Sequence, residues 1–285
     1  MNEKSSMRDQ VFSGMFWKFA ERISAQLVSF IVSVVLARIL LPEAYGIVAM
    51  VMVFINIANV FVTSGFSSAL IQKKDADETD FSTIFYCSFA ISVVIYIGLF
   101  FAAPFIAEFY GTEELTAVLR VFSLKIVLSS YSSVQHAYVS KHMIFKKFFF
   151  STFFGTVLSG VVGILMALNG LSVWALVAQY LVNSTVDMIV LSVTVKWRPK
   201  LLFSWNAAKG LMKYGWKLLC ASLIGTIYGN LRSLIIGKYY TTEDLAYYNR
   251  GEKLPDLGMG IINKTIGSVL FPVLSKMQDE PERTK

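Results

Sequence analysis

Three stretches of this chain, 44–72, 81–107 and 148–186, contain no Asp, Glu, Lys or Arg. Each exceeds the roughly 20 apolar residues that a helix needs to cross the hydrocarbon of a bilayer. In lipid every backbone N–H and C=O must be satisfied within the segment, so such runs are helices or nothing. The first two runs predict one span each. The third is too long for one span and is broken by Asn169-Gly170, a turn signal, so it predicts a hairpin of two. Weaker spans, interrupted by charges, cover 11–37, 115–140, 211–237 and 254–275. The expectation is an all-α polytopic bundle of about eight membrane helices. Composition agrees: 55% of residues are apolar or aromatic and only 16% are charged, with a mean hydropathy of +0.58. A soluble domain of this size could not hide that much apolar surface, which excludes a soluble enzyme, a disordered chain and a nucleic-acid-binding domain.

The net charge of +7 is explained by its distribution. With the N-terminus inside the cell, fourteen lysines and arginines fall on inner segments, among them Lys73, Lys74, Lys141, Lys146, Lys147, Lys196, Arg198 and Lys200. The outer segments hold four: Arg38, Lys238, Arg250 and Lys253. This is a positive-inside bias, so the N-terminus is expected in the cytoplasm, and the basic excess meets anionic membrane lipids and no nucleic acid. The polar start, 1–10, leads into an apolar segment with no cleavage pattern and reads as an uncleaved first span. Cys87 and Cys220 lie apart in apolar stretches, without CxxC or a His/Cys cluster, so no disulfide, metal site or cofactor is expected.

A weak internal repeat is visible. Trp17-Lys18 and Trp216-Lys217 open the first and seventh spans 199 residues apart, and Glu43 and Glu243 follow them 200 apart. Six helices per period would place two lobes in the same orientation about an axis along the membrane normal. The domains expected are a complete six-helix lobe, 1–200, and the first two helices of a second, 201–285. On that reading two complete copies need about 400 residues, and this chain holds one lobe and a fraction.

Polar side chains inside spans are default site candidates, because one charge at the bilayer centre costs at least about 2.5–3.5 kcal/mol. Lys18, Arg22 and Gln26 share one face of the first helix, with Glu21 alongside. Asn56, Asn59 and Thr63 follow the helical period on the second, and Gln179, Asn183 and Asp187 on the sixth. The fourth adds Arg120, Lys125 and a serine run, the seventh Asn230 and Arg232, the eighth Asp256, Asn263 and Lys264. The cavity expected between the helices is lined by Arg22, Gln26, Asn59, Arg120, Lys125, Asn183, Asp187 and Arg232, with Arg232 the leading cation. Its cationic bias suits an anionic cargo. Asp187 and Asp256 are candidates for ion coupling. Lys18 and Lys217, near helix ends, are expected to snorkel to the inner headgroups. His136 and His142 are isolated, and no GxSxG, P-loop or HExxH is present, so catalysis is not expected.

Four segments carry a resemblance that runs through the whole chain in order. Residues 36–49, LARILLPEAYGIVA, resemble the first outer turn of Wzx-type polysaccharide flippases, and 65–75, GFSSALIQKKD, the end of their second helix. Residues 246–250, AYYNR, with Leu254-Pro255 resemble their link from helix seven to eight, and 271–275, FPVLS, the end of helix eight. The chain is most similar to the subgroup for lipopolysaccharide or teichuronic acid export. These transporters share a superfamily with lipid II flippases and multidrug extruders. The resemblance implies a two-lobed bundle of twelve or more helices in the cytoplasmic membrane. It implies alternating-access flipping of undecaprenyl-pyrophosphate-linked oligosaccharide, alongside polysaccharide assembly proteins. Lipid II flippases use charged residues on the first helix, a place that Glu21 and Arg22 loosely match. A cation extruder on the same scaffold would place acidic groups in its cavity, whereas cationic ones outnumber them here. A membrane sugar polymerase would need a large outer loop with Arg and His. All outer loops here are short.

The topology has a direct test. Cysteines placed at 111 and 170 should react with an impermeant thiol reagent from outside the cell, and cysteines at 74 and 146 only from inside. The reverse at either pair would overturn the helix count.

Overall fold

The computed structural model describes residues 2–256 and 266–268, and side chains from 13 onward except at 214 and 253–256. Among the described residues every regular element is a helix: α1 (Asn2–Ile39), α2 (Pro42–Thr63), α3 (Phe66–Gln72), α4 (Glu78–Tyr110), α5 (Glu114–Phe122), α6 (Leu124–Lys141), α7 (Lys146–Leu168), α8 (Ser172–Thr194), α9 (Trp205–Tyr239) and α10 (Thr242–Asp256). Seven segments of this series are long and apolar enough to span a membrane: Ser13–Ile39, Pro42–Gln72, Glu78–Tyr110, Glu114–Lys141, Lys146–Leu168, Ser172–Thr194 and Gly215–Tyr239. The chain is a multi-pass helical membrane bundle. Residues 257–265 and 269–285, and with them the bulk of the expected eighth span, Asn263 and Lys264, lie outside the described residues.

Three boundaries differ from the sequence expectation. The second span is broken at Ser64-Gly65 into α2 and α3, and the fourth at Ser123 into α5 and α6. The segment Ala246-Tyr247-Tyr248-Asn249-Arg250, expected as a link, is helical, within α10. Charges at Glu243, Asp244, Arg250 and Glu252 had hidden that helix from a hydropathy reading. The hairpin turn is where it was expected: α7 ends at Asn169, and Gly170 has φ +76°, a conformation open to glycine.

Helix ends in a membrane need partners for their last carbonyls, and lysines supply them here. Lys141 donates to the Leu70 and Lys73 carbonyls at the end of α3, Lys147 to Thr194 O at the end of α8, and Lys238 to Phe109 O at the end of α4. The start of α4 is a capping box in which Asp77 and Asp80 exchange side-chain and backbone bonds, and Asp80 also holds Lys73 at 2.6 Å. The connector from α8 to α9 is tied to the same turn. Lys200 pairs with Glu78, Ser204 N donates to Thr83 Oγ1 at 3.0 Å, and Trp197 buries its ring against Phe81 and Phe85. Lys73, Lys141, Lys147 and Lys200 thus gather at the end of the bundle where α4 begins, with Lys238 at the other.

Apolar faces point outward at helical spacing: Val94, Ile97, Phe101, Phe105 and Phe109 on α4, and Phe150, Phe154, Leu158, Val161 and Leu165 on α7. Such a face is at rest against hydrocarbon. The core lies on α2, whose Val51, Ile55 and Val62 are fully enclosed by α4, α5, α6, α8, α9 and α10. Small residues set the closest approaches. A Cβ on Gly46 would lie 1.9 Å from Thr242 O, and one on Gly215 2.8 Å from Gly65 O. α2–α3 therefore touches α10 at one end of the bundle and α9 at the other. The ends of these elements keep a spacing of 200 residues. α1 ends at Ile39 and α2 begins at Pro42, as α9 ends at Tyr239 and α10 begins at Thr242.

Arg120 has a structural role that its sequence position did not show. Pro104, inside α4, has no N–H for the Phe100 carbonyl four residues earlier. The Arg120 Nε of α5 donates to that oxygen at 3.1 Å, with its guanidinium 4.4 Å from the Phe100 ring centroid. Removing this donor leaves a carbonyl in an apolar setting, at a cost of roughly 1–3 kcal/mol. Arg120→Leu should therefore lower the thermal stability of the purified protein, and Pro104→Ala, which restores the helix N–H, should recover at least half of the loss. Equal losses in both backgrounds would show that Arg120 is held for another reason.

Candidate functional site

Among the described residues, two cavities with polar linings lie between the helices. The larger, about 680 Å³, is enclosed by α1, α2, α7, α8, α9 and α10. Gln26, Ser29 and Ser33 face it from α1, Asn56 from α2, Thr152, Thr156 and Ser159 from α7, and Gln179 and Asn183 from α8. Asn230 enters from α9 and bonds Asn56 at 3.3 Å. The cation on this lining is Arg250 of α10, half-buried, with its guanidinium 4.0 Å from the Tyr45 ring centroid and a hydrogen bond to Ser33 Oγ. No carboxylate lines this cavity among the described residues. Its chemistry is that of an anion site with many neutral donors and acceptors around one planar cation.

The smaller cavity, about 420 Å³, is nearer the basic end, between α2–α3, α6 and α8. Hydroxyls dominate it: Thr63, Ser67, Ser68, Ser129, Ser132, Ser133, Ser140 and Ser184. At its wall the Asp187 carboxylate receives His136 Nε2 at 2.8 Å and the Ser151 hydroxyl, which ties α8 to α6 and α7. The His136 ring stacks on Phe148 at 4.8 Å. The same Phe148 ring takes Lys18 Nζ at 4.0 Å, and Lys18 is paired with Glu21 at 2.7 Å. Glu21 also accepts from Thr152 at 3.1 Å, joining α1 to α7. The α8 stripe joins the two cavities in order: Gln179 on the larger, Asn183 on both, Asp187 on the smaller. Gly155 and Gly163 let α7 lie directly against Asn183 and Gln179 of that stripe.

Of the expected cavity residues, the structure brings Gln26, Asn183 and Asp187 to the cavities. Arg22 and Asn59 are half-buried between helices and line neither, with Arg22 Nε and Asn59 Oδ1 lacking a partner among the described residues. Arg120 serves the α4 backbone, and Lys125 rests its Nζ 5.0 Å from the ring of Tyr180, which lines the larger cavity while Lys125 does not. Arg232 is a correction. It is exposed on α9, 3.5 Å from Tyr248 Oη, on the face turned away from both cavities. Helical spacing groups residues by face without telling which face looks inward. The Asp256 side chain lies outside the described residues. Lys18 is a second correction: only 8% exposed and held by Glu21, it does not snorkel, whereas Lys217 is exposed. A third is His136, isolated in sequence and paired in space.

Sequence reasoning missed Arg250, assigned to an outer link. The signal available was the repeat, which aligns Thr242 with Pro42 at the start of a helix.

Comparison with known proteins agrees with this architecture. Residues 35–285 match a family model described as a polysaccharide biosynthesis protein. The chain is 24% identical to the succinoglycan biosynthesis transport protein ExoT of Rhizobium meliloti (strain 1021), over 94% of its own length and 54% of the relative's. It is 25% identical to the teichuronic acid biosynthesis protein TuaB of Bacillus subtilis (strain 168), over 78% of its length and 47% of the relative's. It is 23% identical to the lipopolysaccharide biosynthesis protein WzxC of Escherichia coli (strain K12), over 98% and 57%. The chain thus spans about half the length of the curated relatives it matches. With a family match over most of its residues, it belongs to the polysaccharide biosynthesis protein family, among the Wzx-type polysaccharide transporters.

Proposed function

We propose that this chain takes part in flipping an anionic, undecaprenyl-pyrophosphate-linked oligosaccharide across the cytoplasmic membrane, and that the larger cavity receives the charged head of that cargo. The observation that carries the reading is Arg250 in a polar, carboxylate-free cavity inside a membrane bundle. A desolvated guanidinium recognises phosphate oxygens through a planar fork, and the surrounding amides and hydroxyls match the hydroxyls of sugars. The same lining disfavours a cation extruder, which would need an anionic wall. The names of the relatives, from succinoglycan, teichuronic acid and lipopolysaccharide biosynthesis, support a polysaccharide cargo and a transporter without enzymatic chemistry. The basic end faces the cytoplasm, where anionic lipids are held.

On this reading 1–200 is one lobe and 201–285 opens a second, with the cavity between them. The repeated register of α1–α2 and α9–α10 supports that division. The larger cavity is then bounded from both lobes by Gln26 and Asn183 on one side and Arg250 on the other. The glycine contacts of α2–α3 with α9 and α10 are the closest approaches between the two proposed lobes.

Arg250→Ala should reduce export of surface polysaccharide at least about tenfold, as expected for loss of a charge-assisted bond to a desolvated anion, with unchanged protein in the membrane. Arg250→Lys should recover part of it, because the charge remains and the fork is lost. Normal export by the alanine variant would overturn the assignment.

A further inference from the structure

We propose that the His136–Asp187 pair is a proton-binding site loaded from the smaller cavity. Three observations carry this. The pair is a direct contact of 2.8 Å, and the His136 side chain is 42% exposed on a cavity large enough for several waters. Asp187 is bonded from two further helices, so a change in the charge of the pair acts on α6, α7 and α8 together. His136 stacks on the ring that also takes Lys18, so a second cation on Phe148 changes the balance of the α1–α7 contact.

The step balances simply. An ionised Asp187 accepts Nε2–H and so fixes the neutral tautomer, leaving Nδ1 without a proton. A hydronium ion in the cavity gives one proton to Nδ1 and leaves as water, and the pair passes from net charge −1 to zero. Release is the reverse.

Other charged groups around the pair are few. From α1, Lys18 and Glu21 face it as an ion pair, with Lys18 in electrostatic reach of Asp187. From α7 the contact is the Ser151 hydroxyl, and α2–α3 presents Thr63, Ser67 and Ser68. On the α5–α6 side Arg120 and Lys125 are turned to Phe100 and Tyr180. The pair is thus the titratable element of this wall. Asn183, one helical turn from Asp187 and on both cavities, is the path by which the proton and the cargo sense each other. That use in transport rests on the cargo reading above, and the proton site itself does not.

The protein has two histidines, so ¹⁵N-histidine NMR of the purified chain, with His142→Gln for assignment, follows His136 alone. The His136 resonances should change with pH, and Asp187→Asn, which removes the carboxylate acceptor of Nε2–H, should alter that response. An imidazole that keeps one protonation state, or a midpoint indifferent to Asp187→Asn, would overturn the proposal. Should Asp187→Asn not fold, proton uptake counted in weak buffer decides. Wild type should bind one proton more than His136→Gln, and equal uptake would refute the site. Undecaprenyl pyrophosphate, added as the probe, should shift the His136 midpoint, and its affinity should vary with pH to the same extent. Binding without a shift would refute the coupling. No binding at any pH would count against the lipid-linked cargo and leave the proton site standing.

Discussion

Polar side chains within a bilayer cannot be left to lipid, and the way this chain answers them determines how its helices pack. Asp187 on α8 is met by His136 from α6 and Ser151 from α7. Glu21 on α1 is met by Lys18 and by Thr152 of α7. Even the carbonyl exposed by Pro104 has its donor, Arg120, from a neighbouring helix. Each pairing fixes which helices are adjacent. Many of the remaining polar groups line two cavities, while α4 and α7 turn apolar faces outward. Two charged pairs and a stripe of amides thus set the neighbours of the helices around the apolar core on α2.

The larger cavity offers one planar cation among amides and hydroxyls, the smaller one a carboxylate already engaged by an imidazole. Their chemistry differs as the sites of a cargo and of a driving ion would differ. Asn183 stands on both, and Gly155 lets α7 lie against it closely enough for a shift of either helix to be felt at each cavity. A transporter that links two ligands needs such a shared element.

Much of this was legible in the sequence, and the exceptions have physical causes. Charge-free runs gave the spans, Asn169-Gly170 the hairpin, and the Trp-Lys and Glu spacings the register in which α10 repeats α2. The Gln179–Asn183–Asp187 stripe was readable because one helix face is a local property. Arg250 and Arg232 were not distinguishable in this way. They lie on α10 and α9, and only the packing of these helices on α2 sends one inward and the other out. Ser64-Gly65 is a turn dipeptide that was passed over inside a charge-free run, whereas the break at Ser123 contains neither proline nor glycine and gave no such signal. His136 and Asp187 are 51 residues apart and meet only in the folded bundle. Lys18 with Glu21 was within reach, as a three-residue spacing on a helix, yet its proximity to a helix end favoured the headgroup reading.

The central claim is that α8 divides water from lipid along its length, and thiol accessibility tests it directly. In a background with Cys87 and Cys220 replaced by serine, single cysteines would be placed at Gln179 and Asn183 on the cavity face and at Ile189 and Val193 on the outer face. A water-soluble thiosulfonate should modify the first two and spare the last two, because a thiol in hydrocarbon does not ionise. Undecaprenyl pyrophosphate should slow the reaction at 179. Rapid modification of the outer pair with protection of the inner one would contradict the account.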